Sequence, residues 1–382
     1  MYDVIIVGAG MVGLVTALQF AKANKKVALV EAQKPSFAST DLDARVVALN
    51  KLSQNLLIDV GIWSELEKAQ ALSPYEKMFV WDSQGGGQID FNAGDIPTKY
   101  LGFIVANGAI VRAAWQLLSR YNNVEVFCPV AAKKYVCSAE KANLELADGR
   151  VLQADLIVGA DGANSWLREQ AQIEVQRKAY EQSAIVAVVE TEEPHQQTAW
   201  QVFLNTGPLA LLPLKNQNRC AIVWSHDCAD AVLSLTSEEF NAKITAQFEN
   251  RLGQIKCLTD PKAIPLFERH AKQYVQEHFA LLGDSAHTIH PLAGQGVNLG
   301  FQDVELLTRL ILSDSVVGRF KTLRKYARER RASNQKMILA MRAFHRGFGN
   351  EQALVISGRN LLLNLVAKAP VLKEHFVKAA LS

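Results

Sequence analysis

Apolar positions along the chain fall into short continuous runs separated by turn residues. Val4-Ile5-Ile6-Val7 is wholly apolar, the pattern of a parallel strand covered on both faces. A glycine-rich turn follows, then helical spacing from Met11 to Ala23, then a second strand-like run from Lys26 to Glu31. Together these predict a βαβ unit. Two later runs, Leu156-Ile157-Val158 and Phe279-Ala280-Leu281-Leu282, each stop at a turn that contains glycine and aspartate. Ser73 to Thr98 alternates in short pieces around Gly85-Gly86-Gly87, which reads as a β-rich insertion. Ala184–Glu190, Trp200–Leu204, Leu209–Leu214 and Ala221–Ser225 have the spacing of an antiparallel sheet. Helices are expected around Ile110–Ser119, over Thr236–Leu252 and from Gly296 onward. There Met337, Ile338, Met341, Phe344 and Phe348 mark one apolar stripe.

The parallel-type strands are dispersed, with the antiparallel group lying between them. That pattern predicts an α/β fold in which a Rossmann-like nucleotide-binding domain is interleaved with an antiparallel β-sheet substrate domain, ending in a helical C-terminus. The expected partition gives residues 1–73, 101–178 and 270–335 to the first domain. Residues 74–100 and 179–269 go to the second, and 336–382 to the helical segment.

Composition narrows the class only a little. Of 382 residues 49% are hydrophobic and 21% charged, enough for a large globular core. A net charge of +3 gives no field that would favour nucleic acid. Cys128, Cys137, Cys220, Cys228 and Cys257 are scattered and free of C-x-x-C spacing. That speaks against a disulfide framework or a zinc site and fits a reducing cytosol. No apolar run reaches the ~20 residues of a bilayer span. The apolar N-terminus lacks the basic start of a signal peptide.

Gly8-Ala9-Gly10-Met11-Val12-Gly13 is a G-x-G-x-x-G turn set between a strand and a helix. Gly8 permits the tight turn, Gly10 lets a pyrophosphate approach the backbone, and Gly13 lets helix and strand pack closely. The helix N-terminus favours the diphosphate, and Glu31 ends the second strand where a ribose diol needs an acceptor. This fingerprint alone leaves NAD and FAD both open. Gly159-Ala160-Asp161-Gly162-Ala163-Asn164-Ser165, with Arg168 beyond, and Gly283-Asp284-Ser285-Ala286-His287 each put an aspartate at a strand's carboxyl end. Open α/β sheets bind ligands there.

These three segments resemble the signatures of the class A flavoprotein monooxygenases, the FAD-dependent aromatic hydroxylases. His290-Pro291-Leu292-Ala293-Gly294-Gln295-Gly296-Val297-Asn298-Leu299-Gly300, ending at Asp303, is similar to the signature of the ubiquinone-biosynthesis hydroxylases within that class. Asp43-x-Arg45-x-x-Ala48-Leu49, Gly207–Leu214 and Arg359…Pro370…Lys373 support it; Asn50 departs from a position where relatives carry a small residue. The resemblance implies an FAD site built from Gly8, Gly10, Gly13, Glu31, Arg45, Asn107, Asp161, Gly162, Gly283 and Asp284. It extends through Pro291, Gly294, Gln295, Gly296, Val297 and Asn298, with Pro291 lining the flavin face. Surface charge for Arg45 and a plain turn for Asn107 stand as the bland alternatives.

The implied reaction hydroxylates a polyprenylated phenolic ring with NADH or NADPH and O2, through a C4a-hydroperoxyflavin. Cofactor chemistry of this kind needs no side-chain acid or base and no metal. Phe203, Leu211 and Trp224 are the candidate substrate wall, although alternation leaves open which sheet face they occupy. Asp284, His287 and His290 could mimic a metal site, but a loop fixes ligand geometry poorly. Lys321, Arg324, Lys325, Arg328, Arg330 and Arg331 form a basic run, read as a solvated helix face or a dock for anionic lipid or an assembly partner. The Leu361–Val366 stretch reads as an interfacial helix, a subunit contact through C-terminal helices, or core. A cytoplasmic protein in peripheral contact with a membrane or biosynthetic complex is the resulting expectation.

Three rival readings remain. One is another flavin reaction on the same fold, such as isoprenoid epoxidation or reduction; the halogenase-type W-x-W pattern is absent. The second is an NAD-linked dehydrogenase, which leaves Asp161 and Asp284 unexplained. The third is a non-catalytic flavoprotein scaffold.

Overall fold

The expected βαβ unit forms from β1 (Tyr2–Val7), α1 (Met11–Lys22) and β2 (Val27–Val30), whose strands are buried on both faces. The structure is a computed structural model describing residues 1–35, 42–95, 97–138, 140–288 and 296–348, with Ser357 and Asn360 beyond. At 340, 341, 343–346 and 348 it describes the backbone alone.

Next come β3 (Val46–Leu49), α2 (Lys51–Asp59) and α3 (Ile62–Lys68). The β-rich insertion forms β4 (Ser73–Tyr75), β5 (Lys77–Asp82) and β6 (Gln88–Asn92). β7 (Gly102–Ala106), α4 (Asn107–Leu118) and β8 (Val124–Phe127) return to the first layer. β9 (Ala132–Cys137), β10 (Ala142–Leu146), β11 (Val151–Gly159) and α5 (Trp166–Gln170) follow. The middle of the chain is β12 (Val175–Thr191), β13 (Thr198–Leu204), β14 (Gly207–Pro213) and β15 (Arg219–His226). It continues with α6 (Ala229–Leu233), α7 (Ser237–Gln247), β16 (Ile255–Cys257) and β17 (Lys262–Ala271). β18 (Val275–Gln276), β19 (Phe279–Leu281), β20 (His287–Thr288), α8 (Gly296–Leu312) and α9 (Phe320–Phe348) end the described chain.

Sequence signals account for several boundaries. Thr236 and Glu239 form a reciprocal capping box that starts α7. That helix stops short of the expected Leu252 because Glu249 and Asn250 take left-handed conformations, φ 54° and 56°. Asn50, the departure from the family pattern, caps α2 by accepting from the Ser53 N–H at 2.9 Å.

Three sheets organise the elements. The first runs β18-β19-β11-β1-β2-β8, parallel from β19 to β8, with the β9–β10 hairpin attached to β11. The second runs β20-β17-β12-β15-β14-β13-β5-β6, with β16 on β12. Its strands are antiparallel except where β5, arriving from the insertion, pairs in parallel with β13. The third, β3-β7-β4, lies between the other two. Val47 and Leu49 face the first core, while Val46 and Ala48 face the second sheet.

The two layers are stitched repeatedly. β12 runs unbroken through the expected 178/179 boundary, and β20, from the 270–335 segment, extends the second sheet. Asn360 accepts from the Gly87 N–H at 2.6 Å and donates to Asp82 at 3.0 Å, tying that position to the β5–β6 turn.

Alternation in the second sheet settles the face question. Leu209, Leu211, Ile222 and Trp224 turn to the side covered by Phe240 and Ile244 of α7. Ala210, Leu212 and Ala221, with Val223, turn to Tyr75, Ile104, Val46 and Ala48. The expectation that Leu211 and Trp224 line a substrate wall is therefore corrected: both lie in the helix-covered core. Phe203 packs with Val80 and Ile89 on β5–β6.

Candidate functional site

Register in the first sheet aligns the ends of its central strands. Val7 pairs with Val30 and with Gly159, and Gly159 pairs with Leu281. Their following turns consequently stand side by side along one edge: Gly283-Asp284, Asp161-Gly162, Gly8–Gly13 and Glu31. β1 has neighbours reached in opposite directions, so the glycine turn occupies the crevice where such sheets bind ligands.

The glycines have separate tasks. Gly8 sits at φ +101°, and a Cβ there would lie 2.4 Å from the Ala160 oxygen. A Cβ on Gly13 would lie 2.0 Å from the Gly8 oxygen. A Cβ on Gly10 meets nothing within 4 Å. The first two therefore close the fold, and the third leaves a cradle at the start of α1. Glu31 accepts from the Ala9 N–H at 2.7 Å and the Gln33 N–H at 2.9 Å, which holds its carboxylate against the turn.

Polar atoms without partners among the described residues stand at the Asp161 turn and at the start of α4. Asp161 receives the Leu167 N–H at 2.9 Å on one oxygen; its Oδ1 is buried with no hydrogen-bond partner among the described residues. Asn107, the first residue of α4, has a buried Oδ1 with no partner among the described residues. Its backbone N–H bonds the Arg45 oxygen at 2.9 Å. Asp284 is open to the cleft yet deep in the molecule, and burial pushes its carboxyl pKa up, as it does for Asp161. Buried acceptors without donors cost free energy, so these atoms call for a hydroxyl- or amide-bearing ligand. The Arg45 side chain is 72% exposed, with Nε 3.9 Å from Asp43.

The Asn298 amide donates to the Ala48 oxygen at 2.8 Å and accepts from the Asn50 N–H at 3.2 Å and the Ser53 hydroxyl at 2.6 Å. These contacts tie its side chain to the β3–α2 connection and hold α8 in place. Gly296 and Val297 open α8, and a Cβ on Gly296 meets nothing within 4 Å. Pro291, Gly294 and Gln295, with His290, lie outside the described residues.

A buried ionic network supports the Gly-Asp turn. Asp303 on α8 is fully buried; it accepts from the Gly283 N–H at 2.9 Å and contacts His287 Nε2 at 2.6 Å. Arg330 Nε donates to its other oxygen at 2.6 Å. Burial opposes the Asp303 charge, but His287 and Arg330 outweigh it and hold the carboxyl below its ordinary range. His287 is thereby committed to Asp303, and Arg330, read as part of a solvated face, is 6% exposed. Arg168 bridges the two aspartate turns, donating to the Ser285 oxygen at 2.8 Å and the Ala163 oxygen at 3.1 Å.

Asp303 and Arg330 were missed as structural partners although a signal existed. Asp303 stands four residues from Leu299 and from Leu307 on an apolar stripe, where a charge must be paired. Arg330 sits four residues from Tyr326 and Asn334 in the same way.

A cavity of about 570 Å³ opens between the β3-β7-β4 sheet and the end of β14, lined by Val46, Ile104, Ala106 and Leu214 among others.

Comparison with known proteins follows this geometry. The FAD binding domain family model matches residues 1–340. The 3-demethoxyubiquinol 3-hydroxylase of Escherichia coli (strain K12) is 35% identical over 99% of this chain and 98% of that protein. Ubiquinone biosynthesis monooxygenase COQ6, mitochondrial, of Danio rerio is 31% identical over 100% of this chain and 90% of its own. Among solved structures, p-nitrophenol 4-monooxygenase PnpA from Pseudomonas putida DLL-E4 superposes with TM-score 0.81 at 18% identity, covering 100% and 98% of the two chains. Klebsiella pneumoniae HpxO, complexed with FAD and uric acid, gives 0.76 at 17%, covering 100% and 96%. At that identity the two structures establish the shared fold.

Proposed function

The chain belongs to the FAD binding domain family, and we propose that it hydroxylates the aromatic ring of a polyprenylated intermediate of ubiquinone biosynthesis, using NAD(P)H and O2. The observation that carries this reading is near-complete alignment with two ubiquinone hydroxylases, joined to a cleft whose open cradle and unpartnered acceptors fit FAD.

When bound, FAD supplies hydride acceptance from NAD(P)H and activation of O2, chemistry that no protein side chain provides. In this reading Gly10 and the first N–H groups of α1 receive the diphosphate, and Glu31 takes a ribose hydroxyl. Asp284 would accept from the ribityl hydroxyls, while the Oδ1 atoms of Asn107 and Asp161 would accept hydrogen bonds from the cofactor's polar groups. The first backbone N–H groups of α8 would favour negative charge on a bound flavin ring. Ala210, Leu212, Ala221 and Val223 pack against Val46 and Ala48, and the adjoining cavity lined by Val46, Ile104, Ala106 and Leu214 would seat the substrate ring away from water.

Two measurements test the reading. Purified protein should carry flavin absorbance and consume NAD(P)H in proportion to hydroxylation of a short-tailed quinol. Deletion of the gene should leave a quinone precursor lacking one ring oxygen, detected by mass spectrometry. A protein that never takes up FAD, or a deletion with unchanged quinones, would sink the proposal.

A further inference from the structure

The connection between α8 and α9 concentrates charge that the rest of the molecule lacks. From residue 313 to residue 332 stand Arg319, Lys321, Arg324, Lys325, Arg328, Arg330 and Arg331 against Asp314 and Glu329. Arg330 is consumed by Asp303, which leaves six cations and two acids in a chain whose whole net charge is +3. Asp314 is itself engaged by Arg319 and Thr322. Lys321, Arg324, Lys325 and Arg328 form no ion pair with a described residue. Their charges sit on the opening turns of α9, where the helix dipole adds further positive potential.

Large apolar side chains are exposed at the same corner. Leu312 is 37% exposed, Val316 50% and Phe320 38%, all within nine residues of sequence. Arg324 lies 6.0 Å from the Phe320 ring centroid. A groove of about 1440 Å³ runs beside them, between this corner and β18. Exposed aliphatic and aromatic groups ringed by unpaired cations match the chemistry of an anionic bilayer surface. Apolar tips enter the acyl boundary, and cations meet phosphate headgroups. Nucleic acid offers nothing to the apolar trio.

We propose that this corner docks the protein on an anionic lipid surface. α8 spans about 25 Å from Leu312 to Gly296 at 1.5 Å per residue, so docking leaves the cofactor cleft clear, and the corner is a tether. Its purpose rests on the hydroxylase reading, because a polyprenylated ring resides in a bilayer; the binding itself does not.

The test is flotation of the FAD-loaded full chain with vesicles of phosphatidylcholine alone or mixed with phosphatidylglycerol. The protein should float with the mixed vesicles only, and high salt should release it. Lys321→Glu with Lys325→Glu should reduce the bound fraction by about tenfold or more. Val316→Ser with Phe320→Ser should also weaken it, while both variants keep their flavin and their turnover of a soluble short-tailed quinol. Equal flotation with both vesicle types, no flotation, or unaffected variants would overturn the proposal. So would binding to soluble polyglutamate without vesicle binding, which would point to an acidic protein. A wild type that floats yet hydroxylates no quinol would refute the hydroxylase reading and leave the docking surface standing.

Discussion

Replacing Arg330 with methionine should unlock the Gly-Asp turn from the end of the fold that is remote in sequence. Arg330 donates to Asp303 at 2.6 Å, to Gln302 at 2.9 Å and to Asn334 at 3.0 Å, and both members of the ion pair are buried. Removing one partner strands the other charge, which costs roughly 3–5 kcal/mol. Unfolding entropy of about 2.1 cal/mol/K per residue gives about 0.8 kcal/mol/K for a chain of 382 residues. The melting temperature should therefore fall by about 4–6 °C. Because the same carboxylate holds the Gly283 N–H, FAD retention should fall as well, as read by flavin absorbance after gel filtration. Adding Asp303→Asn removes the stranded charge and should recover part of the lost stability. A single variant within about 1 kcal/mol of wild type, or a double variant showing the full sum of both losses, would refute this reasoning.

Three further outcomes follow from the geometry. Gly10→Val should leave the apo melting temperature nearly unchanged while weakening FAD binding, because its side chain enters the cradle; Gly13→Val should fail to fold well, because its Cβ would collide with Gly8. Fluorescence titration and thermal melts separate the two, and tight FAD binding by Gly10→Val would contradict the placement of the diphosphate. Leu214→Trp, which fills the cavity, should raise KM for the quinol with the fold intact, whereas Leu211→Ala should cost roughly 2–5 kcal/mol with little change in KM. Burial, with His287, Arg331 and Arg342 nearby, pulls the His270 pKa down to about 4, against opposition from Glu268. Its neutral form is the folded form, so its stabilisation is complete above about pH 6.5 and is lost as pH falls toward 4. The loss is at most about 3 kcal/mol. Glu268 and Asp303, held low by Arg342 and by His287 with Arg330, give up their share only at still lower pH. A His270→Gln variant should flatten the upper window in urea melts; an unchanged pH profile would contradict the assignment.

Elements governed by local rules were legible in the sequence. The βαβ unit announces itself because strand, glycine turn and helix are contiguous, and the α7 start because a capping box spans three residues. The end of α7 was not legible, since left-handed Glu249 and Asn250 carry no glycine to mark them. Face assignment in the second sheet failed for a physical reason. Both faces of β14 and β15 are apolar, one against α7 and the other against the β3-β7-β4 sheet. Period-two alternation then has no polar side to fix its phase. The Asn298 contacts were not legible either, because its side-chain oxygen meets partners 248 and 245 positions away in sequence.

Long-range side-chain pairing also explains why the chain does not divide into consecutive domains. Arg330, Asn334, Ile338 and Arg342 recur every four residues, on one face of α9. Arg330 reaches Asp303 beneath the Gly-Asp turn. One turn later Asn334 donates to the Tyr274 hydroxyl at 3.1 Å, and that hydroxyl also meets His270 of β17 at 2.9 Å. Two turns further, Arg342 Nε donates to Glu268 of β17 at 3.1 Å, and Glu268 also accepts from Tyr180 of β12 at 2.8 Å. A single helix face thus grips both the Gly-Asp turn and the second sheet. β20 closes the loop by pairing His287 with His270, so both supports share backbone as well as side chains. Charged residues on this face brace the fold, whereas Lys321, Arg324, Lys325 and Arg328 on the opening turns of the same helix are exposed.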